Sequence, residues 1–115
     1  MKVLKFGGTS VADSKSINKV ISILNNNDDN LIIVVSAFGG VTNLLQECLN
    51  LKGKQTGDIL KKIESRHLEV IDNLSSLDEQ SSLKSFLKEK LNELEDILDA
   101  ISTIDEVTQK TVSKV

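Results

Sequence analysis

Two stretches of the chain end an apolar run in glycines and hydroxyl residues, and the first is suited to holding a phosphate. It reads Lys5-Phe6-Gly7-Gly8-Thr9-Ser10 and follows the run that begins at Val3. Glycine lacks the Cβ that keeps a ligand off the backbone and it tolerates positive φ, so consecutive N–H groups can turn into one anion-binding concavity. Ser10, with Asp13 three residues on, approximates a capping box. The positive end of the helix that would start there adds to the field at the turn. Lys5 contributes a full positive charge at the strand's carboxyl end. The chemistry implied is a phosphate turn with one mobile cation, able to offset charge that develops during phosphoryl transfer. A bare Gly-Gly after a strand also serves simply as a tight βα turn, and no Gly-x-x-x-x-Gly-Lys-Ser/Thr loop occurs.

The second stretch is Ser36-Ala37-Phe38-Gly39-Gly40-Val41-Thr42-Asn43, after Leu31-Ile32-Ile33-Val34-Val35. Ser36 and Thr42 offer hydroxyl donors. Without a lysine it is the poorer phosphate site, and Thr42 serves equally well as a helix cap. Ligands of open α/β sheets bind outside the carboxyl ends of the strands, so two such turns on one edge can hold two parts of one reaction.

The elements that must position these turns follow from periodicity. Val3 to Phe6 is a short apolar run read as a strand, and Leu31 to Val35 is a continuous apolar run without alternation, as in a buried parallel strand. Between them Ile17, Val20, Ile21 and Leu24 mark an amphipathic helix of about four turns, ended by the Asn- and Asp-rich run Asn25 to Asn30. This predicts a right-handed βαβ unit. Leu44, Leu45, Cys48 and Leu49 open another helix, and residues 52–57 read as a loop. Asp58 would cap a helix carrying Ile59, Ile63, Val70, Ile71 and Leu74. After a break at Ser75-Ser76-Leu77-Asp78, a long apolar stripe from Leu83 to Ile101 predicts a second helix folded back on it. Its Glu89, Lys90, Glu93, Glu95 and Asp96 read as a solvated side rather than a carboxylate site. His67, the single histidine, reads as structural.

Composition narrows the function. At 115 residues there is room for one modest core. A net charge of -3 with 27% charged residues argues against a nucleic-acid surface, and no apolar run approaches the roughly 18 residues that span a bilayer. The start at Met1-Lys2 leads into a strand rather than a signal peptide, which implies a cytoplasmic protein. Cys48 is the one cysteine, so no intramolecular disulfide or cysteine cluster can form, and its leucine neighbours predict a buried thiol.

The first hexapeptide, followed by Val11-Ala12 at the extreme N-terminus, resembles the opening motif of aspartate kinases in the amino-acid-kinase family. Val-Val-Ser-Ala followed by Gly-Val-Thr-Asn is similar to that family's second motif. The resemblance covers essentially all 115 residues. It implies ATP with Mg2+ and L-aspartate as the small molecules handled, with Lys5, Gly7, Gly8 and Ser10 at the ATP phosphates, Lys5 being catalytic, and Ser36 and Thr42 at aspartate. It implies an α/β fold, the N-terminal βαβ and helical portion of a three-layer αβα sandwich, and a homo-oligomeric parent. Residues 1–52 would be the βαβα part with both loops, and residues 58–115 a helical hairpin with the start of a further helix, Ile104 to Val115.

Two parallel strands with open edges and an end without a helix stop signal lead to the expectation that this is the front piece of a larger catalytic domain. By the resemblance, the substrate-binding glutamate and arginine, the base pocket and the catalytic aspartate would all lie beyond Val115, and no metal site falls within the piece. Alone it should be inactive and prone to associate or swap through its strand edges. The alternatives are a kinase of the same fold acting on another carboxylate, such as glutamate, and a non-catalytic module assembling through the Leu83 to Ile101 face.

Overall fold

The computed structural model describes residues 1–27 and 29–113. Strand β1 (Lys2–Phe6) leads to helix α1 (Ser14–Asn25), strand β2 (Leu31–Val35), helix α2 (Val41–Asn50), helix α3 (Gly57–Leu74) and helix α4 (Leu77–Ser113). The chain is therefore an α/β protein, mostly helical, with a small sheet. β1 and β2 pair in parallel, in a register that sets Lys2 opposite Leu31 and Phe6 opposite Val35. Both strands thus end at the same edge, and the two glycine turns leave it side by side.

Helix α1 begins later than its sequence suggests. Asp13 is the N-cap, its carboxylate accepting from the Ser16 N–H at 2.8 Å, whereas Ser10 lies in the preceding turn with its N–H bonded to the Gly7 carbonyl at 3.0 Å. The capping box expected of Ser10 and Asp13 does not form, because Asp13 bonds nearer the helix. With 12 residues, α1 runs for little more than three turns rather than four. Of the Asn25 to Asn30 run, Asp28 lies outside the described residues.

Helix α2 ends in a Schellman motif, the Gly53 N–H reaching the Cys48 carbonyl at 3.0 Å and the Lys52 N–H the Leu49 carbonyl at 2.9 Å. Lys52 takes the left-handed position there, with φ 56°. Gly53, at φ 74°, lies flat against α4, and a Cβ on it would stand 2.2 Å from the Leu98 carbonyl oxygen. Helix α3 starts one residue before Asp58, with Thr56 at the cap position. Helices α3 and α4 then fold back on one another through Ser75-Ser76, where Gln80 donates to the Ser75 carbonyl at 3.2 Å and Lys84 pairs with Asp72 at 2.9 Å. A separate helix from Ile104 onward does not appear. α4 is one helix of 37 residues, since nothing from Ile101 to Ser113 caps or breaks it; Lys114 and Val115 lie outside the described residues.

The core sits between helices, away from the sheet. Val41, Cys48, Ile59, Ile63 and Leu98 are buried together, with Leu91, Leu94 and Ile101 of α4 packed against them. Part of the α4 stripe therefore faces inward, whereas Leu83, Phe86 and Ile97 remain exposed. Burial raises the pKa of the Cys48 thiol, which keeps it protonated and unreactive. Leu31 to Val35, expected as a buried strand, is instead exposed along most of its length, Val35 to 60%, because the sheet has two strands and the core forms between helices. No helix among the described residues is long and apolar enough to cross a membrane.

Asp105 of α4 holds the α2–α3 loop, pairing with Lys54 at 2.9 Å and Lys52 at 3.4 Å. The Lys54 ammonium above all, and Lys52 with it, lower the Asp105 pKa. A depressed carboxylate pKa contributes stability that is present above the ordinary carboxylate value and is lost as pH falls through the folded value. Asp105→Asn should flatten stability against pH on the acid side, below about pH 4, and leave its slope near neutrality unchanged, as followed by urea midpoints across pH. Gly53→Ala should cost about 2 kcal/mol or more, since it combines a left-handed β-carbon with a backbone clash. Gly57→Ala, with open space around its Cβ position, should be neutral or slightly stabilising in the same urea titration.

Candidate active site

The two turns meet. A Cβ on Gly8 would stand 3.9 Å from the Ser36 hydroxyl oxygen. The Ser36 N–H extends the sheet ladder by bonding the Phe6 carbonyl at 3.0 Å, and the Gly39 N–H donates to the Val11 carbonyl at 3.3 Å. The closest approach lies between Gly39 and Ala12, where a Cβ on Gly39 would come within 2.8 Å of the Ala12 Cα. Gly40 does a different job. It caps α2 at φ 80°, a left-handed conformation that turns the chain from strand into helix.

Gly7 and Gly8 have neither reason. Neither has positive φ, nothing lies within 4 Å of a Cβ on Gly7, and Gly8 has ordinary contact room. The left-handed φ that the sequence allows for these glycines is not used. Their own packing would tolerate alanine, which leaves an open approach to the backbone. Among the described residues the Gly7, Gly8 and Thr9 N–H groups have no acceptor, whereas those of Ser10 and Val11 both turn back to the Gly7 carbonyl. Ser10 therefore has only its hydroxyl left to offer.

Lys5 lies on β1 opposite Val34, exposed and in no ion pair among the described residues. Alternation along the strand puts it on the face away from Leu4 and Phe6. Ser36 is exposed just past β2, and Thr42 is exposed in the first turn of α2. Thr42 is not the cap, since Gly40 holds that position. The structure thus brings Gly8 and Ser36 together, sets Lys5, Gly7 and Ser10 on the first strand and turn, and places Thr42 at the start of the helix that leaves the second.

Helix α3 adds three side chains that the sequence did not single out for the site. Arg66 Nη1 donates to the Gly39 carbonyl at 2.6 Å, and its guanidinium lies 3.3 Å from where a Cβ on Gly40 would be. The His67 ring sits 4.8 Å, centroid to centroid, from that of Phe38, while its Nδ1 lies 2.7 Å from the Ile63 carbonyl. A carbonyl only accepts, so Nδ1 carries the proton. Glu69 accepts from the Ser14 hydroxyl and from the Ser14 N–H at 3.3 Å, at the start of α1. The second turn, without a cation in its own sequence, borrows one from α3.

A cleft of about 730 Å³ lies between α3 and the start of α1 and is lined by Ala12, Asp13, Lys61, Ser65, Arg66 and Glu69 among others. None of the six residues predicted for ATP or aspartate lines it. Thr9 and Ser10 line a smaller one of about 370 Å³ with Phe6, Lys19, Val20 and Ile23. No group of three metal-ligating side chains stands together among the described residues.

The amino acid kinase family profile matches residues 1–108. The aspartokinase of Chlamydia pneumoniae is 40% identical over 73 residues, 64% of this chain and 16% of that protein. The bifunctional aspartokinase/homoserine dehydrogenase of Buchnera aphidicola is 30% identical over 108 residues, 88% of this chain and 13% of that one. Among solved structures, Escherichia coli aspartokinase III, crystallised with lysine and aspartate in a T state, superimposes with a TM-score of 0.74 at 26% identity over 88% of this chain and 22% of its own. The chain therefore spans about a sixth or less of the length of these two curated relatives.

Gly39→Ala should lower the melting temperature clearly, because backbone meets backbone at Ala12 and neither side can yield cheaply. Gly7→Ala should leave it within about 2 °C. Thermal melts followed by circular dichroism compare the two.

Proposed function

Because the chain belongs to the amino acid kinase family, we propose that the whole protein is an aspartate kinase, taking ATP and L-aspartate to ADP and 4-phospho-L-aspartate. The aspartate side-chain carboxylate attacks the γ-phosphorus, the bond to the β–γ bridging oxygen breaks, and ADP leaves. This would be the first step toward lysine, threonine and methionine, carried out in the cytoplasm by a homo-oligomer.

The observation that carries the reading is the juxtaposition of Gly8 with Ser36. An open turn with unengaged N–H groups is what phosphate oxygens require, and a hydroxyl-bearing turn beside it can hold the acceptor. Gly7 and Gly8 would donate backbone N–H groups to the ATP phosphates, with the Ser10 hydroxyl beside them. Lys5 would offset charge on the transferring group, Mg2+ arriving with the nucleotide. Ser36 and Thr42 would hold aspartate, whose attack needs it in line with the phosphorus. The exposed faces of β1 and β2 are then surfaces for the rest of the catalytic domain, and residues 1–115 alone would not turn over.

The alternative of helical association keeps a reduced surface, since Leu91, Leu94, Leu98 and Ile101 pack into the core while Leu83, Phe86 and Ile97 stay exposed. Asp105 likewise has a structural task with Lys52 and Lys54 and is no substitute for a catalytic aspartate.

Lys5→Ala in the whole protein should lower kcat by about 2 to 4 kcal/mol of transition-state stabilisation, with a much smaller change in the KM for aspartate. Steady-state assay of aspartate-dependent ADP release decides it, and a near-normal kcat would remove Lys5 from the mechanism.

A further inference from the structure

The second turn is held from outside by two consecutive residues of α3 acting on two consecutive residues of the turn. Arg66 binds the Gly39 carbonyl and the His67 ring packs at a tilt against Phe38. One helical turn further along, Glu69 holds the Ser14 N–H and hydroxyl at the start of α1, the helix that follows the first turn. A single rigid helix thus touches the structure behind both turns, and its root is fixed in the core by Ile59 and Ile63.

We propose that Arg66, backed by His67, is a positioning residue that sets where the 36–42 segment presents its hydroxyls, and so governs use of the acceptor substrate rather than of ATP. This rests on the aspartate kinase reading above. The chemistry favours Arg66 for the task. Gly39 and Gly40 bring no side chain to anchor the stretch between Phe38 and Val41, and Gly40 is in a left-handed conformation. The charged hydrogen bond to the Gly39 carbonyl supplies that anchor. Gly39 also touches Ala12 of the first turn, so its carbonyl is a point where a small displacement changes the gap between the turns. Phosphoryl transfer is sensitive to displacements of this size.

The test uses the whole protein with Arg66→Met, which keeps an unbranched side chain of similar reach and loses every donor, and Arg66→Lys, which restores one charged donor. Arg66→Met should raise the KM for aspartate about tenfold or more while the KM for ATP stays within about twofold, and Arg66→Lys should recover a substantial part of the loss. Amide exchange at Gly39, Gly40 and Val41 should quicken in Arg66→Met relative to the α1 amides. Unchanged constants for aspartate, or a parallel rise in both KM values, would overturn the inference, the latter because it signals general loosening. Should Arg66→Met fail to fold, Arg66→Lys carries both readouts, with a smaller but still aspartate-selective change expected. If the wild-type protein shows no aspartate-dependent turnover, the functional reading fails. The exchange comparison then decides alone whether Arg66 holds the turn, and unchanged protection overturns it.

Discussion

The contact between Gly39 and Ala12 is the constraint on which the arrangement of the site depends. Two strands in parallel register deliver two turns to one edge, but that alone would leave the turns free to splay. The absence of a side chain at Gly39 lets the second turn come down onto the first until backbone meets backbone, and the Gly39 N–H then finds the Val11 carbonyl. Any Cβ there would separate the Gly7-Gly8 turn from Ser36, and with it the turn proposed for phosphate from the hydroxyl proposed for the acceptor. The four glycines of the two turns are not equivalent. Gly39 permits close approach, Gly40 permits a left-handed turn, and Gly7 and Gly8 leave space that the folded chain does not itself fill.

The position of the core explains how open turns can be held in place. The strands lend almost nothing to it, whereas Val41, just after the second turn, is buried against Ile59, Ile63, Cys48 and Leu98. The second turn is therefore tied to the best-packed part of the molecule through Val41 and through Phe38, which packs against the same cluster. The first turn is tied down less directly, by the sheet ladder, by Val11 and by Glu69 at the start of α1. An anion-binding turn benefits from such a mounting, since its N–H groups must remain unpaired and exposed to be of use, and unpaired backbone cannot be buried cheaply.

Much of this was legible in the residues. A short apolar run specified β1 and a largely β-branched one β2, and the spacing of Ile59, Ile63, Val70 and Ile71 and then of Leu83 to Ile101 specified the antiparallel helices, because burial on one face imposes a period. Two features were not legible for physical reasons. Helix boundaries depended on which polar side chain won a cap, and Asp13 won over Ser10. Ile104 to Ser113 continued α4, since a solvated helix without glycine or proline has no cause to stop. The role of Arg66 was hidden more deeply. Its partner is a backbone carbonyl 27 residues away, and a carbonyl leaves no trace in the identity of the residue that bears it. The signal available was indirect, a cation beside His67 and a glycine turn without any charge of its own.

That division also bears on which parts of the site can vary independently. The groups proposed to meet ATP lie on the first strand and its turn, fixed by local sequence, whereas the turn proposed to meet the acceptor owes its placement to a helix far along the chain. A change at Arg66 alone therefore bears first on the second turn, since Glu69 still holds the start of α1. Interactions that share a rigid element couple to one another, while those on separate mounts add nearly independently. Here Glu69 and Arg66 share α3, so the two turns are coupled through that helix as well as through the Gly39–Ala12 contact. The direct contacts fix how near the turns come, and the helix holds each of them from outside.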